Sequence, residues 1–228
     1  PHPLAATHDQ HRPHHSTGRY PHNNKPLHPG EADYLHPVLP HFKHGKDNEI
    51  GSGSSTKIAR NALAMNAKEG GATPKHVCVE PYEQPWLEAF DGIELVRARV
   101  EDCDIDWANA LTDGDLLFIE SSHMIRPQGD VLHEYLEILP SHDVGVVVHI
   151  HDIFSPRDYP HDWVVDRAYF WNEQYLLEAF LSSSSDWQVV AGLNYLQHKH
   201  HDLLRQRCPS IQPASEPGSF YIERVRAG

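Results

Sequence analysis

The chain has 228 residues, of which 39% are hydrophobic and 22% charged, and its formal net charge is −13. This length fits one domain, with or without a tail. No stretch approaches the ~18 consecutive apolar residues of a transmembrane helix, so we expect no membrane partner. We also expect no nucleic-acid partner, because binding to phosphates draws on an excess of Lys and Arg that this acidic chain lacks.

The cysteine content and the first residues of the chain indicate in which cellular compartment the protein is expected. Three cysteines, none in a Cys-x-x-Cys pair, are too few for a disulfide framework and indicate reduced thiols. No basic and then apolar segment of the kind found in secretory signals opens the chain. We therefore expect a cytoplasmic protein.

Residues 1–44 differ from the rest in composition. They contain ten of the twenty histidines and eight of the eighteen prolines. Because proline removes backbone donors and blocks helices, this segment is predicted to be an extended arm or loop. A His-rich tract can bind metal, but these histidines share no fixed spacing, which favours a solvated or loosely packed arm. The predicted organisation is an arm at residues 1–46 and one catalytic domain at 47–228.

Strand and helix patterns alternate along the rest of the chain. A strand end leads through the turn GSGSS into a helix that Ser54 or Ser55 caps. The segments that follow are the strand HVCV, the helix QPWLEAF, the strand IELVRARV, the helical turn DWANAL, the strand DLLFI, the helix GDVLHEYLEIL, the strand VGVVVHI, the helix DRAYFWNEQYLLEAFL and the strands WQVVAGLNYL and GSFYIERV. This alternation predicts an α/β fold with a mostly parallel sheet.

The residues at the carboxyl ends of the predicted parallel strands are all polar or acidic. Ligands of such sheets bind beyond these ends. Gly51 and Gly53 let the backbone approach a ligand, and the following helix start offers free N–H groups. Glu80, at the end of the next strand, can accept hydrogen bonds from both hydroxyls of a ribose. A plain strand-to-helix turn is the alternative, but together these residues predict nucleoside binding.

Several motifs resemble a bacterial branch of the class I S-adenosylmethionine-dependent methyltransferases. They are EIGSGSSTKIA, CVEPYEQPWL, VEDCD, LLFIESSHMIRPQGDVLHEYLEILP, GVVVHIHDIFSPRDYP and FWNEQYLLEAFL, within residues 49–225. The resemblance implies a Rossmann-like, mostly parallel seven-stranded sheet with a C-terminal antiparallel hairpin and S-adenosylmethionine as cofactor. It also implies the cofactor contacts, which are Glu49, Gly51 and Gly53 at the methionine part, Glu80 at the ribose, Glu101 or Asp102 near the adenine, and Ser52, Ser54 and Glu120 beside them.

One segment departs from the family's pattern. The strand before the glycines should be apolar, yet it reads HFKHGKDNEIG, and burying Asp47 and Asn48 in a central strand is costly. Either this strand is very short or some chain is missing between residues 44 and 49.

A second set of strand-end residues carries candidate chemistry. Glu120 ends the fourth strand and His151-Asp152 end the fifth, and neighbouring strands lie about 4.8 Å apart. By resemblance to metal-dependent catechol-type O-methyltransferases of this fold, Glu120, His151 and Asp152 are expected to bind a divalent metal. Carboxylates suit Mg²⁺, whereas Mn²⁺ or Fe²⁺ also accepts imidazole. The alternative is that Glu120 contacts only the cofactor and that His151 is a packed histidine.

His123 is the candidate general base, with Asp152 as the second catalytic residue. Its ordinary pKa near ~6.5 suits removal of a proton from an acceptor hydroxyl, although a histidine that merely lines the crevice is the alternative. The candidate acceptor-binding residues mix aromatic faces with polar tips and are Arg157, Tyr159, Trp171 and Asn172. Glu173 is a polar residue within an apolar helix, and a role in this site and a role in helix packing are equally favoured for it.

These observations favour a methyltransferase that moves a methyl group to an oxygen of a small hydroxylated acceptor, with a divalent metal as an optional aid. One alternative is a metal-dependent hydroxylase or hydrolase on the same fold, using the His/Asp/Glu cluster. Another is a non-catalytic nucleoside-binding protein. The acceptor's identity and a homodimer are left open.

Overall fold

Seven strands form one sheet in the computed structural model, which describes residues 31, 33–34, 45–68, 75–82 and 84–226. The strands are β1 (Lys46–Ile50), β2 (Lys75–Val79), β3 (Glu94–Val96), β4 (Leu116–Ile119), β5 (Val147–Ile150), β6 (Trp187–Gly192) and β7 (Phe220–Arg224). Their order is β3-β2-β1-β4-β5-β7-β6. Strands β1 to β5 pair in parallel, and β7 runs antiparallel to both of its neighbours. The predicted α/β fold with a mostly parallel seven-stranded sheet is confirmed.

Eight helical segments connect the strands within the described residues. They are α1 (Ser54–Lys68), α2 (Pro85–Glu88), α3 (Trp107–Ala110), α4, α5 (His161–Val165), α6 (Glu173–Ser183), α7 (Leu193–Lys199) and α8 (His201–Arg207). Helix α4 passes without a break through Asp130–His133, the π-helical turn Glu134–Ile138 and Leu139–Ser141, and a 3₁₀ turn covers Val100–Asp102. In this part of the chain no helix has the length and apolar character needed to span a membrane.

The predicted and observed bounds of the elements differ, most clearly at two places. The segment WQVVAGLNYL was predicted to be strand throughout, but β6 ends at Gly192 and helix α7 begins at Leu193. The amide of Leu193 still donates to the carbonyl of Ser219 (3.0 Å), after which the chain turns away from β7. Helix α6 begins only at Glu173, although the apolar pattern predicted an earlier start, because Asn172 has φ −150° and lies outside the helix.

The polar strand β1 lies between β2 and β4 in the middle of the sheet. It has five residues, and its backbone pairs with β2 and β4 on both sides. Asp47 and Glu49 are at most 1% exposed. Burial raises the pKa of Asp47 to about 7, which shows the cost of a carboxylate at this position. A short, fully paired strand therefore accommodates the sequence that departs from the family's pattern.

Both faces of the sheet are covered. On one face, apolar side chains of β4, β5 and β7 pack against α4 and α6, with Tyr135 and Leu177 at most 1% exposed. On the other, Leu116, Val147 and Tyr221 pack against residues of α7 and α8. Because helices cover both faces, the carboxyl ends of the parallel strands are the place left for a ligand.

Candidate active site

The carboxyl ends of β1, β2, β4 and β5 open into one cavity of about 370 Å³. Its lining comes from the glycine turn after β1 and the loops after β2, β4 and β5. Further lining residues come from the 3₁₀ turn after β3, from the start of α4 and from the segment between α5 and α6, which contributes Arg167, Ala168, Tyr169 and Trp171.

Gly51 brings the turn after β1 against β4. Its φ is +79°, and its amide donates to the carbonyl of Val79 (2.9 Å). A Cβ at this position would lie 2.0 Å from the carbonyl oxygen of Glu120. Only glycine fits both the backbone conformation and this close approach.

Glu80 ties the turn after β1 to the loop after β2. Its carboxylate accepts hydrogen bonds from the amides of Ser52 (3.1 Å) and Tyr82 (2.7 Å), and the residue is 2% exposed. Each carboxylate oxygen has a second lone pair. The side chain lines the cavity, where it could accept further hydrogen bonds from a ligand.

The other predicted cofactor contacts divide into two groups. Ser52, Gly53, Glu101 and Glu120 line the cavity, as Gly51 does. Asp102 does not, and its carboxylate pairs with Arg99 (2.6 Å) while the side chain is 54% exposed. The side chain of Ser54 lies outside the described part of the structure.

Glu49 lies beneath the glycine turn and is absent from the cavity lining. Its carboxylate accepts hydrogen bonds from the hydroxyls of Ser55 (2.5 Å) and Thr56 (2.6 Å) in the first turn of α1. Because side chains alternate along a strand, Asp47 and Glu49 point into the layer under α1, whereas Ile50 points to the other face. Glu49 therefore holds the turn from below.

His123 stands at the acceptor end of the cavity in a left-handed backbone conformation, φ +58°. Its Nδ1 lies 2.8 Å from Oε2 of Glu173, and the Tyr135 hydroxyl donates to Oε1 of the same carboxylate (3.1 Å). Burial by itself would lower the pKa of His123, but the hydrogen bond to Glu173 and the surrounding carboxylates outweigh it and raise the pKa to about 9.

Asp152 and Glu120 approach His123 from the ends of β5 and β4. Oδ2 of Asp152 lies 3.8 Å from Nε2 of His123. One ligand atom each from Glu120, His123 and Asp152 falls within 4.8 Å of the others, as metal binding requires. Asp152 also has positive φ (+55°), and burial raises the pKa of its carboxyl group. The structure thus gathers the predicted base and two carboxylates at one point.

His151, predicted as a metal ligand, is engaged differently. Its Nδ1 contacts Oε2 of Glu120 at 2.6 Å, which leaves no room for an ion between these two atoms. Burial opposes protonation of His151, yet Glu120, Asp152 and Glu31 together raise its pKa well above the ordinary value. The structure thus places His151 against Glu120 and brings His123 into the triad in its place.

Glu31 reaches the site from the His-rich arm. One carboxylate oxygen accepts hydrogen bonds from the Gly218 amide (2.8 Å) and the Ser219 hydroxyl (3.0 Å), and the other lies 3.4 Å from Nε2 of His151. The residue is fully buried. No sequence signal predicted this contact, because it joins segments 120 residues apart.

The four predicted acceptor residues are spread apart. Trp171 lines the cavity, and its ring lies 4.5 Å from that of His123. Arg157 instead pairs with Glu216 (3.2 Å) at the surface. Tyr159 packs in an aromatic cluster, and its hydroxyl accepts from the Gln174 amide (3.1 Å). The Asn172 side-chain oxygen accepts from the Ile125 amide (2.5 Å), which joins the start of α6 to the loop after β4.

Two described residues that matter to the site were not predicted with it, and a third was predicted only in part. Glu173 was left evenly divided between the acceptor site and helix packing, and its pairing with His123 was not predicted. Tyr135 matched the apolar face of a helix. Tyr169 stacks on Trp171, with ring centroids 4.7 Å apart, and continues the aromatic wall of the cavity.

Part of the chain is similar in sequence to a known protein family. Residues 48–153 match the sequence family described as "Methyltransferase domain". No curated protein matches the chain.

Solved structures with a similar chain path have low identity. The plantazolicin methyltransferase BamL, solved with a triazolic desmethylPZN analog and SAH, is 11% identical with a TM-score of 0.48, over 86% of this chain and 84% of that one. The mitomycin 7-O-methyltransferase MmcR is 13% identical with a TM-score of 0.44, over 86% and 53%. The 1,6-didemethyltoxoflavin-N1-methyltransferase of Burkholderia thailandensis is 12% identical with a TM-score of 0.41, over 86% and 77%.

The matched residues 48–153 contain the glycine turn, Glu80, Glu120, His123 and Asp152, which are the residues that surround the cavity. The sheet order also agrees with the fold that the sequence motifs imply. Over residues 48–153 the chain is therefore similar to the methyltransferase domain family, which is the similarity that the sequence motifs also carry.

Proposed function

We propose that this methyltransferase transfers the methyl group to an oxygen of a small hydroxylated acceptor, with His123 as the general base. The observation that carries the proposal is the geometry of His123, whose Nδ1 is fixed by Glu173 while its Nε2 side faces Asp152 in the cavity. This is the arrangement of a base oriented by a carboxylate.

The residues around the glycine turn fit the cofactor. Gly51 packs directly against the Glu120 backbone and so holds the turn at the edge of the cavity, and Glu80 offers two carboxylate oxygens at the end of β2. We assign the methionine part to the turn Gly51 to Gly53, the ribose to Glu80 and the adenine to the wall formed by Val100 and Glu101. When bound, S-adenosylmethionine supplies a methyl group on a positively charged sulfur.

Proton transfer depends on the charge state of His123. With a pKa of about 9, His123 is protonated near neutral pH in the ligand-free protein. A cation in the cavity lowers this pKa, because like charges disfavour the imidazolium. The sulfonium of a bound cofactor would therefore increase the fraction of His123 in the base form.

The proposed chemical step couples removal of a proton from the acceptor to transfer of the methyl group. Nε2 of His123 takes the proton of the acceptor hydroxyl while the oxygen bonds to the methyl carbon and the carbon–sulfur bond breaks. The products are a methyl ether and S-adenosylhomocysteine, and the proton on His123 returns to solvent. Glu173 holds the ring and stabilises the imidazolium that forms.

The acceptor is proposed to carry a flat ring. Trp171 and Tyr169 stack at 25° to each other and line the cavity beside His123. Such a wall binds aromatic or sugar rings through apolar contact. Tyr159 packs against Trp171, and Asn172 holds the loop after β4, so both would support this wall from outside the cavity. Arg157 lies at the surface, where it pairs with Glu216.

A divalent cation is a further proposal for the same end of the cavity. Glu120 and Asp152 offer carboxylate oxygens, and one imidazole nitrogen completes a mixed donor set that Mn²⁺ or Fe²⁺ accepts more readily than Mg²⁺. His123 is the nitrogen that the geometry favours, and in the metal-bound form its Nε2 would be a ligand instead of the general base; His151 is available only if its contact with Glu120 opens. Such an ion would polarise the acceptor oxygen.

Calorimetric titration with S-adenosylhomocysteine tests the proposal, on protein treated with a chelator and again with Mg²⁺ or Mn²⁺. Wild type is expected to bind, and Glu80→Gln to bind about tenfold or more weakly, since hydrogen bonds to charged groups contribute roughly 1.5–3 kcal/mol. His123→Gln should keep its affinity yet lose about 10²–10⁴-fold in transfer to a panel of hydroxylated rings.

Failure of the wild type to bind S-adenosylhomocysteine would overturn the assignment of the cofactor residues. Full transfer activity in His123→Gln would overturn the base. Location in the cytoplasm and the arm boundary at residue 46 stay predictions of the sequence.

A further inference from the structure

A second group of polar side chains lies on the opposite side of β1 from the cavity, under helix α1. Asp47 and Glu49 of β1 are in register with His76 and Cys78 of β2, so all four side chains project from the same face of the sheet. Each of the four is at most 1% exposed. Four ligand-type side chains in the middle of a sheet require a physical explanation, because their burial is costly.

The separations of the donor atoms match those of a metal site. Oε2 of Glu49 lies 3.4 Å from Nε2 of His76 and 3.5 Å from Sγ of Cys78, and one atom from each residue falls within 4.8 Å of the others. In a tetrahedral Zn²⁺ site with ordinary bond lengths, the corresponding separations are about 3.4 Å for O to N and about 3.6 Å for O to S. Two of the three separations therefore match tetrahedral spacing, and the third lies within 4.8 Å.

Unpartnered polar atoms in the same group point to a missing ligand. Among the described residues, both carboxylate oxygens of Asp47 and both ring nitrogens of His76 are buried without a hydrogen-bond partner. The 3.4 Å contact of His76 with Glu49 thus lacks the alignment of a hydrogen bond. Buried polar groups are nearly always paired, so these atoms indicate a site for a cation.

The local charges also balance around a divalent ion. Asp47, Glu49 and a Cys78 thiolate carry three negative charges, and Arg60 supplies one nearby positive charge, which acts on His76. A divalent cation brings the sum to zero. A donor set that contains a thiolate and an imidazole selects Zn²⁺ over Mg²⁺.

We propose that Glu49, His76 and Cys78 bind a structural Zn²⁺ ion, and that the carboxylate of Asp47, the cross-strand neighbour of His76, balances the charge of the ion. Binding replaces the proton of the Cys78 thiol, which is released to solvent. The hydroxyls of Ser55 and Thr56, which donate to Glu49, connect the ion to the first turn of α1. The ion fastens β1 to β2 and holds the glycine turn from below.

The test must separate this site from the ten histidines of the arm, which can bind metal on their own. Full-length protein is therefore stripped of metal and titrated with Co²⁺, because a cysteine thiolate ligand gives near-ultraviolet charge-transfer absorption that histidine and carboxylate ligands do not. We expect this absorption to saturate at one equivalent and to disappear when one equivalent of Zn²⁺ is added.

Two variants serve as matched controls. Cys78→Ser should lose the absorption, whereas Cys208→Ser, which changes another fully buried cysteine, should keep it. Glu120→Gln, which alters the cavity, should keep it too. Absorption that persists in Cys78→Ser or vanishes in Glu120→Gln would overturn the assignment.

A measurement on the wild type alone covers the case in which Cys78→Ser does not fold. Zinc X-ray absorption at less than one equivalent of Zn²⁺ should show one sulfur neighbour at about 2.3 Å. A first shell made only of nitrogen and oxygen would mean that the arm or the cavity binds the metal, and the proposal would be wrong.

Discussion

The pairing of Glu173 with His123 makes a quantitative prediction about the pKa of His123. The change is Glu173→Gln, which keeps the size of a fully buried side chain and a hydrogen-bonding group for Tyr135. The carboxylate at 2.8 Å helps to raise the pKa of His123 to about 9. Hydrogen bonds to charged groups contribute roughly 1.5–3 kcal/mol, and 1.36 kcal/mol corresponds to about one pKa unit. The variant's pKa should therefore be lower by about one to two units.

Nuclear magnetic resonance measures this value directly and needs no acceptor. The ring signal of His123 in ¹³C-histidine-labelled protein is identified by its absence from His123→Gln, and its shift is followed with pH. Glu178→Gln, the same exchange at an exposed position of α6, is the control and should leave the midpoint unchanged. Once an acceptor is known, the pH at which kcat/KM rises should move down in Glu173→Gln as well.

Two results would refute this reasoning. A wild-type midpoint at the ordinary value near ~6.5 would show that the carboxylates do not hold the proton on His123. An unchanged midpoint in Glu173→Gln would show that the hydrogen bond seen in the structure does not set the pKa. In either case Glu173 would lose its place in the proposed mechanism.

Three further changes test the fold and the cavity. Gly51→Ala should abolish S-adenosylhomocysteine binding in calorimetry, because its Cβ would lie 2.0 Å from the Glu120 carbonyl, and retained affinity would contradict this. Leu177→Ala should cost about 2–5 kcal/mol in urea unfolding, whereas Leu136→Ala, at an exposed position, should cost less than about 0.5 kcal/mol. Burial and the Arg224 charge lower the pKa of His142 to about 4, so the unfolded chain binds a proton first as pH falls below ~6.5. Wild type should lose up to about 3 kcal/mol between pH 6.5 and 4 that His142→Gln does not lose, and equal pH dependence would contradict the assignment.

Strands β2, β4 and β5 could be predicted because each is a short apolar run followed by a polar residue. Glu80 and Glu120 follow such runs, and the structure places both at the cavity. The end of β6 could not be predicted, since LNYL continues the apolar pattern of the strand before it. In the structure, pairing with β7 ends at Gly192, and the helix begins at the next residue. Strand β1 was hard to recognise because it lacks an apolar run. Its polar residues Asp47 and Glu49 belong to the proposed metal site under α1.

The partners of the candidate base were beyond the reach of the sequence. His123 and Glu173 are 50 residues apart, and they meet only because α6 packs against the loop after β4. Glu31 joins His151 from still farther away. Residue type identified the groups able to move protons, but the three-dimensional packing determines which of them are paired.

The left-handed backbone at both His123 and Asp152 has a consequence for attempts to improve this protein. Glycine adopts such φ values without a steric penalty, whereas a left-handed residue with a side chain costs of order 1–3 kcal/mol. A screen for heat resistance would therefore tend to select glycine at these two positions, and it would remove the proposed base and its neighbouring carboxylate in doing so. Selection for robustness and selection for turnover are expected to pull in opposite directions at the ends of β4 and β5.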